Sequence, residues 1–202
     1  MKKGFTLLEM LVVMGIIAIL VGATIGAFTK MTKAAEQAKC RELVANTATA
    51  LVALFQDRGV WPRALRTNGA HDGELDADAA YPLAKGGYMS LTTENERLAG
   101  YDALGIVDPW ATAVIKRNGR SATLSDKVPT GGTIRDHLLH YALDLDGDGI
   151  IEGASIGGQS VSVRATAIVW CGGKDGRIEA YSVGLKRDDV YSFAYGQTQD
   201  VQ

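Results

Sequence analysis

Residues 1–28 read MKKGFTLLEMLVVMGIIAILVGATIGAF, and no residue from Met10 to Phe28 is charged. Nineteen uncharged residues at about 1.5 Å each cross most of a bilayer as a helix. Lys2 and Lys3 precede this run. Basic residues are retained on the cytoplasmic side, so the pattern predicts a single pass with the C-terminus outside. The odd residue is Glu9, between Leu8 and Met10. Unpaired at the bilayer centre it would cost about 2.5–3.5 kcal/mol, so it wants a partner.

A cleavable secretory signal and a plain anchor with Glu9 near the interface are the simpler readings. Neither explains the order of residues. A cut after Gly4 would free the amine of Phe5, with Glu9 one helical turn away on the same face. The carboxylate would then pair with the amine of a neighbouring subunit, turning a costly charge into a register for helix packing.

Working outward, Lys30 to Phe55 holds neither Pro nor Gly, and Leu43, Ala50, Leu51 and Leu54 recur at helical spacing. The helix is predicted to run to about Gln56 and to end at Asp57-Arg58-Gly59 and Pro62. The 202 residues, 47% hydrophobic and 22% charged, allow this helix plus one modest domain. Residues 1–33 hold four lysines and one glutamate, leaving 17 of 21 basic and 22 of 23 acidic residues to the remainder. That mildly acidic body has no basic cluster for nucleic acid.

The domain reads as a variable region over 59–106, with a weak helix near Thr93–Ala99 opened by a Thr93/Glu96 capping box. Strand signals follow at Ala113–Arg117, Tyr141–Leu145, Val161–Cys171 and Arg177–Val183. Glycines at 131–132, 147–149 and 157–158 point to antiparallel hairpins, and thus to one sheet on the second half of the helix. Asp144, Asp146, Asp148 and Glu152 occupy positions one, three, five and nine of a loop with Gly149 at six, a spacing that converges oxygens on calcium. Ser155 stands at position twelve, where an EF-hand has its glutamate, so the competing reading is an Asp/Gly hairpin turn. Cys40 and Cys171 permit one disulfide but demand none. Catalysis is not expected. His137 and His140, beside Asp136 and with His71 elsewhere, lack zinc-site spacing and read as solvated or capping, and no nucleophile elbow, phosphate loop or dinucleotide fingerprint occurs.

Gly4 to Val13 resembles the class III signal of type IV pilins and pseudopilins. The resemblance implies cleavage between Gly4 and Phe5 by a prepilin peptidase, N-methylation of Phe5, and Glu9 as the assembly carboxylate. Asp108-Pro109-Trp110 is similar to the Asp-Pro-Trp-Gly turn leading into the sheet of major pseudopilins of type II secretion systems, with Trp110 as a core anchor. Residues 170–176 and Asp188-Asp189-Val190-Tyr191 resemble the C-terminal calcium loop of those proteins, which implies Asp175, Asp188 and Asp189 as ligands. Cys171 stands where the family usually has serine, and the stretch between the two pieces is longer than usual.

The resemblance implies an α+β, pilin-like fold: leader 1–4, transmembrane and assembly helix 5–29, second half of the helix 30–56, and a periplasmic globular domain 57–202. It implies polymerisation with itself and other pseudopilins on the inner-membrane platform of a secretion system, no organic cofactor and no nucleic acid. A surface-pilus subunit and a non-polymerising, membrane-anchored calcium module are the alternatives.

Overall fold

The computed structural model describes residues 7–66, 72–89, 104–178, 189–193 and 198–199. The chain forms two compact units, Met1–Glu36 and Gln37–Gln202, and helix α1 (Leu7–Arg58) runs through both. The helix ends two residues beyond the expected Gln56 because Gly59 follows it. At φ +67° Gly59 takes the left-handed conformation, and its N–H donates to the Phe55 carbonyl at 2.7 Å.

In the first unit every large apolar side chain from Leu7 to Val21 is exposed. Met10 to Met14 are consecutive, so they cover the whole circumference of the helix and leave no polar face. No helix among the described residues is long and apolar enough to cross a membrane. The uninterrupted run of described side chains ends at Gly22, however, while the uncharged sequence continues to Phe28.

In the second unit α1 changes character. Cys40, Val44, Thr47, Leu51 and Leu54 are fully buried, at spacings of four, three, four and three, which is one stripe of a helix. The stripe packs with α2 (Ala77–Lys85) and α3 (Pro109–Asn118) into a core shared with a four-stranded antiparallel sheet. That sheet has the order β1 (Asp72–Glu74), β2 (His140–Leu143), β5 (Ala167–Cys171), β6 (Val190–Tyr191). A second sheet is ordered β3 (Ile151–Ile156), β4 (Gln159–Val163), β7 (Thr198–Gln199).

The expected antiparallel sheet on a long helix is present, but it is backed by this second sheet, and the strand period shows why. Tyr141, Leu143, Val169 and Cys171 face the helical core, whereas Ala142, Ile168 and Trp170 join Ile151, Ile156, Val161 and Val163 in a second core. Every residue of β5 is buried because both faces of the sheet are covered.

Three expectations are corrected. Val161–Cys171 is two strands, broken by a bend at 164–166. Ala113–Arg117 belongs to α3, because the buried Asp108 carboxylate accepts from the Trp110 and Ala111 amides, both at 3.1 Å, and Pro109 fits the first helical position. The Asp-Pro-Trp segment thus starts a helix instead of leading into a strand, while Trp110 is the buried anchor expected of it. Residues 177–178 form no strand. The Thr93–Ala99 helix, His71 and the remainder of Arg177–Val183 lie outside the described residues.

Candidate functional site

Gly4 and Phe5 lie outside the described residues. Glu9 is exposed in the first turn of α1, where a carboxylate complements the positive end of the helix dipole. It is the one acidic residue among the exposed apolar side chains of Leu7 to Val21. A helix of this kind has an oily surface all round and one fixed charge that can specify register.

Asp144, Asp146 and Asp148 come together: one oxygen of each lies within 4.8 Å of the others. The loop that carries them is not the expected hairpin turn, because β2 and β3 belong to different sheets and the loop is the crossing between them. Asp144 is buried, and its carboxylate accepts from the Gly147 amide at 2.7 Å and the Gly149 amide at 2.8 Å. Asp148 accepts from Ile150 N at 2.7 Å. The Trp61 indole anchors the loop by donating to the Asp144 carbonyl at 2.6 Å. Calcium binds oxygens at about 2.3–2.6 Å, so donors sharing one ion lie at most about 5 Å apart, and the three carboxylates fit that limit. Glu152, exposed in β3, is outside the cluster, and the Ser155 amide donates to Asp72 at 2.9 Å.

The C-terminal calcium residues are not assembled among the described residues, where no group of three potential ligands includes Asp175 or Asp189. Asp188 lies outside them. Asp175 accepts from the Arg177 amide at 3.0 Å, and Asp189 accepts from the Tyr191 hydroxyl at 3.0 Å. Close approaches leave no room for a side chain at two glycines here. A Cβ on Gly131 would sit 2.9 Å from the Asp175 carbonyl, and one on Gly176, at φ +70°, would sit 2.9 Å from His137 Nε2.

His137 corrects the expectation of a solvated or capping histidine. Its side chain is fully buried, with Nδ1 2.7 Å from Asp108 Oδ2 and Nε2 2.9 Å from the Gly131 carbonyl. With Asp108 ionised both ring nitrogens face acceptors, so both bonds then form only when the ring is protonated. Burial opposes that charge, but the Asp108 hydrogen bond and charge, the Gly131 carbonyl and Asp136 outweigh it and raise the His137 pKa. Burial likewise pushes the Asp108 carboxyl up, against the pull of His137 and the two helix amides. His140 goes the other way: half-buried and stacked on Trp170, it is desolvated to a pKa of about 4 despite Asp72 and Asp136. The Asp108–His137 pair binds the start of α3 to the 131–137 turn, and with both nitrogens used it offers no reactive group to solvent. Sequence reasoning missed it because its members are 29 positions apart; the one available clue was Asp108 ahead of Pro109, a helix cap with a second oxygen to spare.

Residues 1–25 match the family model of the prokaryotic N-terminal methylation motif. The chain carries a class III signal. The signal and the α+β architecture are consistent with a type IV pilin-like protein, and the motif implies membrane anchoring, processing by a prepilin peptidase and assembly with other pilin subunits. No curated protein and no solved structure matches the chain significantly.

Proposed function

We propose that this type IV pilin-like chain is a structural subunit, not an enzyme, which polymerises through its N-terminal helix into a pseudopilus for protein export. The observation that carries the reading is the helix surface from Leu7 to Val21, apolar on every side and bearing only Glu9 as a charge, directly within the methylation motif. In lipid that surface is satisfied, and in a fibre it packs against copies of itself, since helices in apolar surroundings associate by shape and by paired polar groups. The uncharged run to Phe28 would hold the waiting subunit in the inner membrane as a single pass, with the globular unit in the periplasm.

A secretion pseudopilus is favoured over a surface pilus by the cysteines. Cys171 has no second cysteine near it in the sequence, which speaks against the C-terminal disulfide loop usual in surface pilins of this size. A calcium ion held by Asp144, Asp146 and Asp148 would stiffen the crossing between the sheets; it is an accessory to assembly.

The test is crosslinking between cysteines placed in the membrane segment, in wild type and Glu9→Ala chains co-expressed with a prepilin peptidase, with N-terminal sequencing of the product. A mature chain starting at Phe5 and a ladder of multimers that collapses in Glu9→Ala are expected. An intact Gly4–Phe5 bond, or a ladder indifferent to Glu9, overturns the reading in favour of an anchored module.

A further inference from the structure

Cys40 and Cys171 are far apart in sequence but meet in the second unit. Cys40 is the first fully buried position of the α1 stripe, and Cys171 is the last residue of β5, paired with Val190 of β6. Both side chains are free thiols at 0% exposure in one core, close enough for each to act on the other. A single buried cysteine behaves as a small hydrophobe. Two thiols in contact, one on the helix and one on the central sheet, are also the reduced form of a crosslink.

We propose that Cys40 and Cys171 are joined by a disulfide in the exported chain, stapling helix α1 to strand β5. The inference rests on the export reading, because disulfides persist in oxidising compartments and are rare where thiols are kept reduced. The oxidant is a disulfide, either a protein disulfide donor or oxidised glutathione. One cysteine, as thiolate, attacks a sulfur of that disulfide and releases a thiol. The second attacks the mixed disulfide and releases the other, so two protons and two electrons leave the pair and the oxidant becomes two thiols.

The neighbouring Cys171 and burial both push the Cys40 thiol far up, so the closed unit holds it protonated and unreactive. The bond therefore forms before the core closes, and afterwards the same burial shields it from reductants. A subunit pulled through its helix during assembly would keep that helix seated against its sheet.

The experiment uses the full chain, co-expressed with a prepilin peptidase, recovered from membranes with its free thiols alkylated, and mapped by mass spectrometry without reduction. A linked peptide pair containing Cys40 and Cys171 is expected, lost in Cys40→Ser and in Cys171→Ser. Detergent-solubilised chain, unfolded, reduced and refolded with reduced and oxidised glutathione, should form the same link and melt roughly 5–15 °C above the chain refolded reduced. A processed, exported chain with two alkylated thiols overturns the proposal and leaves the export reading standing. A chain still carrying its leader overturns the export reading; the glutathione refolding then decides, and a native chain that does not close the bond refutes the pairing.

Discussion

Replacing His137 by alanine tests whether the buried pair holds the second unit together. Both side chains are fully buried, and without the imidazole the Asp108 carboxylate keeps only its two helix amides in a dry core. Breaking a buried pair from one side costs about 3–5 kcal/mol, a large part of the roughly 5–15 kcal/mol by which domains are stable. Asp108→Asn separates charge from hydrogen bonding. The amide oxygen still caps α3, the amide NH2 donates to Nδ1 of a neutral ring, and Nε2–H still donates to Gly131. The loss should therefore be about 1 kcal/mol, the difference between charged and neutral hydrogen bonds. Urea unfolding of detergent-solubilised chain, followed by tryptophan fluorescence, reads both, because Trp61, Trp110 and Trp170 are all buried in this unit. The pH dependence adds a sign. With a folded pKa above 6.5, His137 contributes stability that is complete below pH 6.5 and is lost as pH rises through the folded value. In Asp108→Asn the carboxylate is gone and burial dominates, so the alkaline loss should vanish. Equal destabilisation by the two substitutions, or an unchanged alkaline limb in Asp108→Asn, refutes the charged pair.

His140, with its pKa held near 4, should cost stability as pH falls from 6.5 towards 4, by at most about 3 kcal/mol, and His140→Phe should flatten that limb of the urea midpoint while keeping a ring on Trp170. Millimolar calcium should raise the melting temperature over that in chelator, and Asp146→Asn or Asp148→Asn should abolish the rise; a wild type indifferent to calcium leaves the loop an amide-capped crossing. Gly176→Ala forces a Cβ against His137 at a left-handed φ and should lower stability by about 1–3 kcal/mol in the same urea assay, whereas an unchanged midpoint removes the close approach as a constraint.

Features with a local signature were legible in the sequence. The Pro- and Gly-free run gave α1, Gly59 its end, and the dense apolar residues of 167–171 gave β5. Local patterns failed where two of them competed or where the pattern lay in space. Alternation over 113–117 suggested a strand, but an aspartate cap followed by proline starts a helix and prevailed. The second sheet was hidden because β3 carries a register irregularity between Ile151 and Ala154, which breaks the alternation that would have marked it. The carboxylates of 144–148 were found because a loop within one segment fixes their spacing. The Asp108–His137 contact joins distant segments, and nothing near either residue announces its partner; Cys40 and Cys171 could be paired in advance because they are the two cysteines of the sequence.

Helix α1 makes the case for assembly from its own side chains. Over Gln37 to Arg58 its apolar residues form a stripe, and the stripe is covered by the chain that carries it. Over Leu7 to Val21 there is no stripe, so no single globular face could cover that surface, however the rest of the chain folded. Lipid can cover it all round, and so can a ring of identical helices. Lipid alone gives no reason for Glu9, whose charge is a liability in hydrocarbon. A neighbouring helix that brings a free amine to that carboxylate does, and cleavage within the methylation motif is what would create the amine.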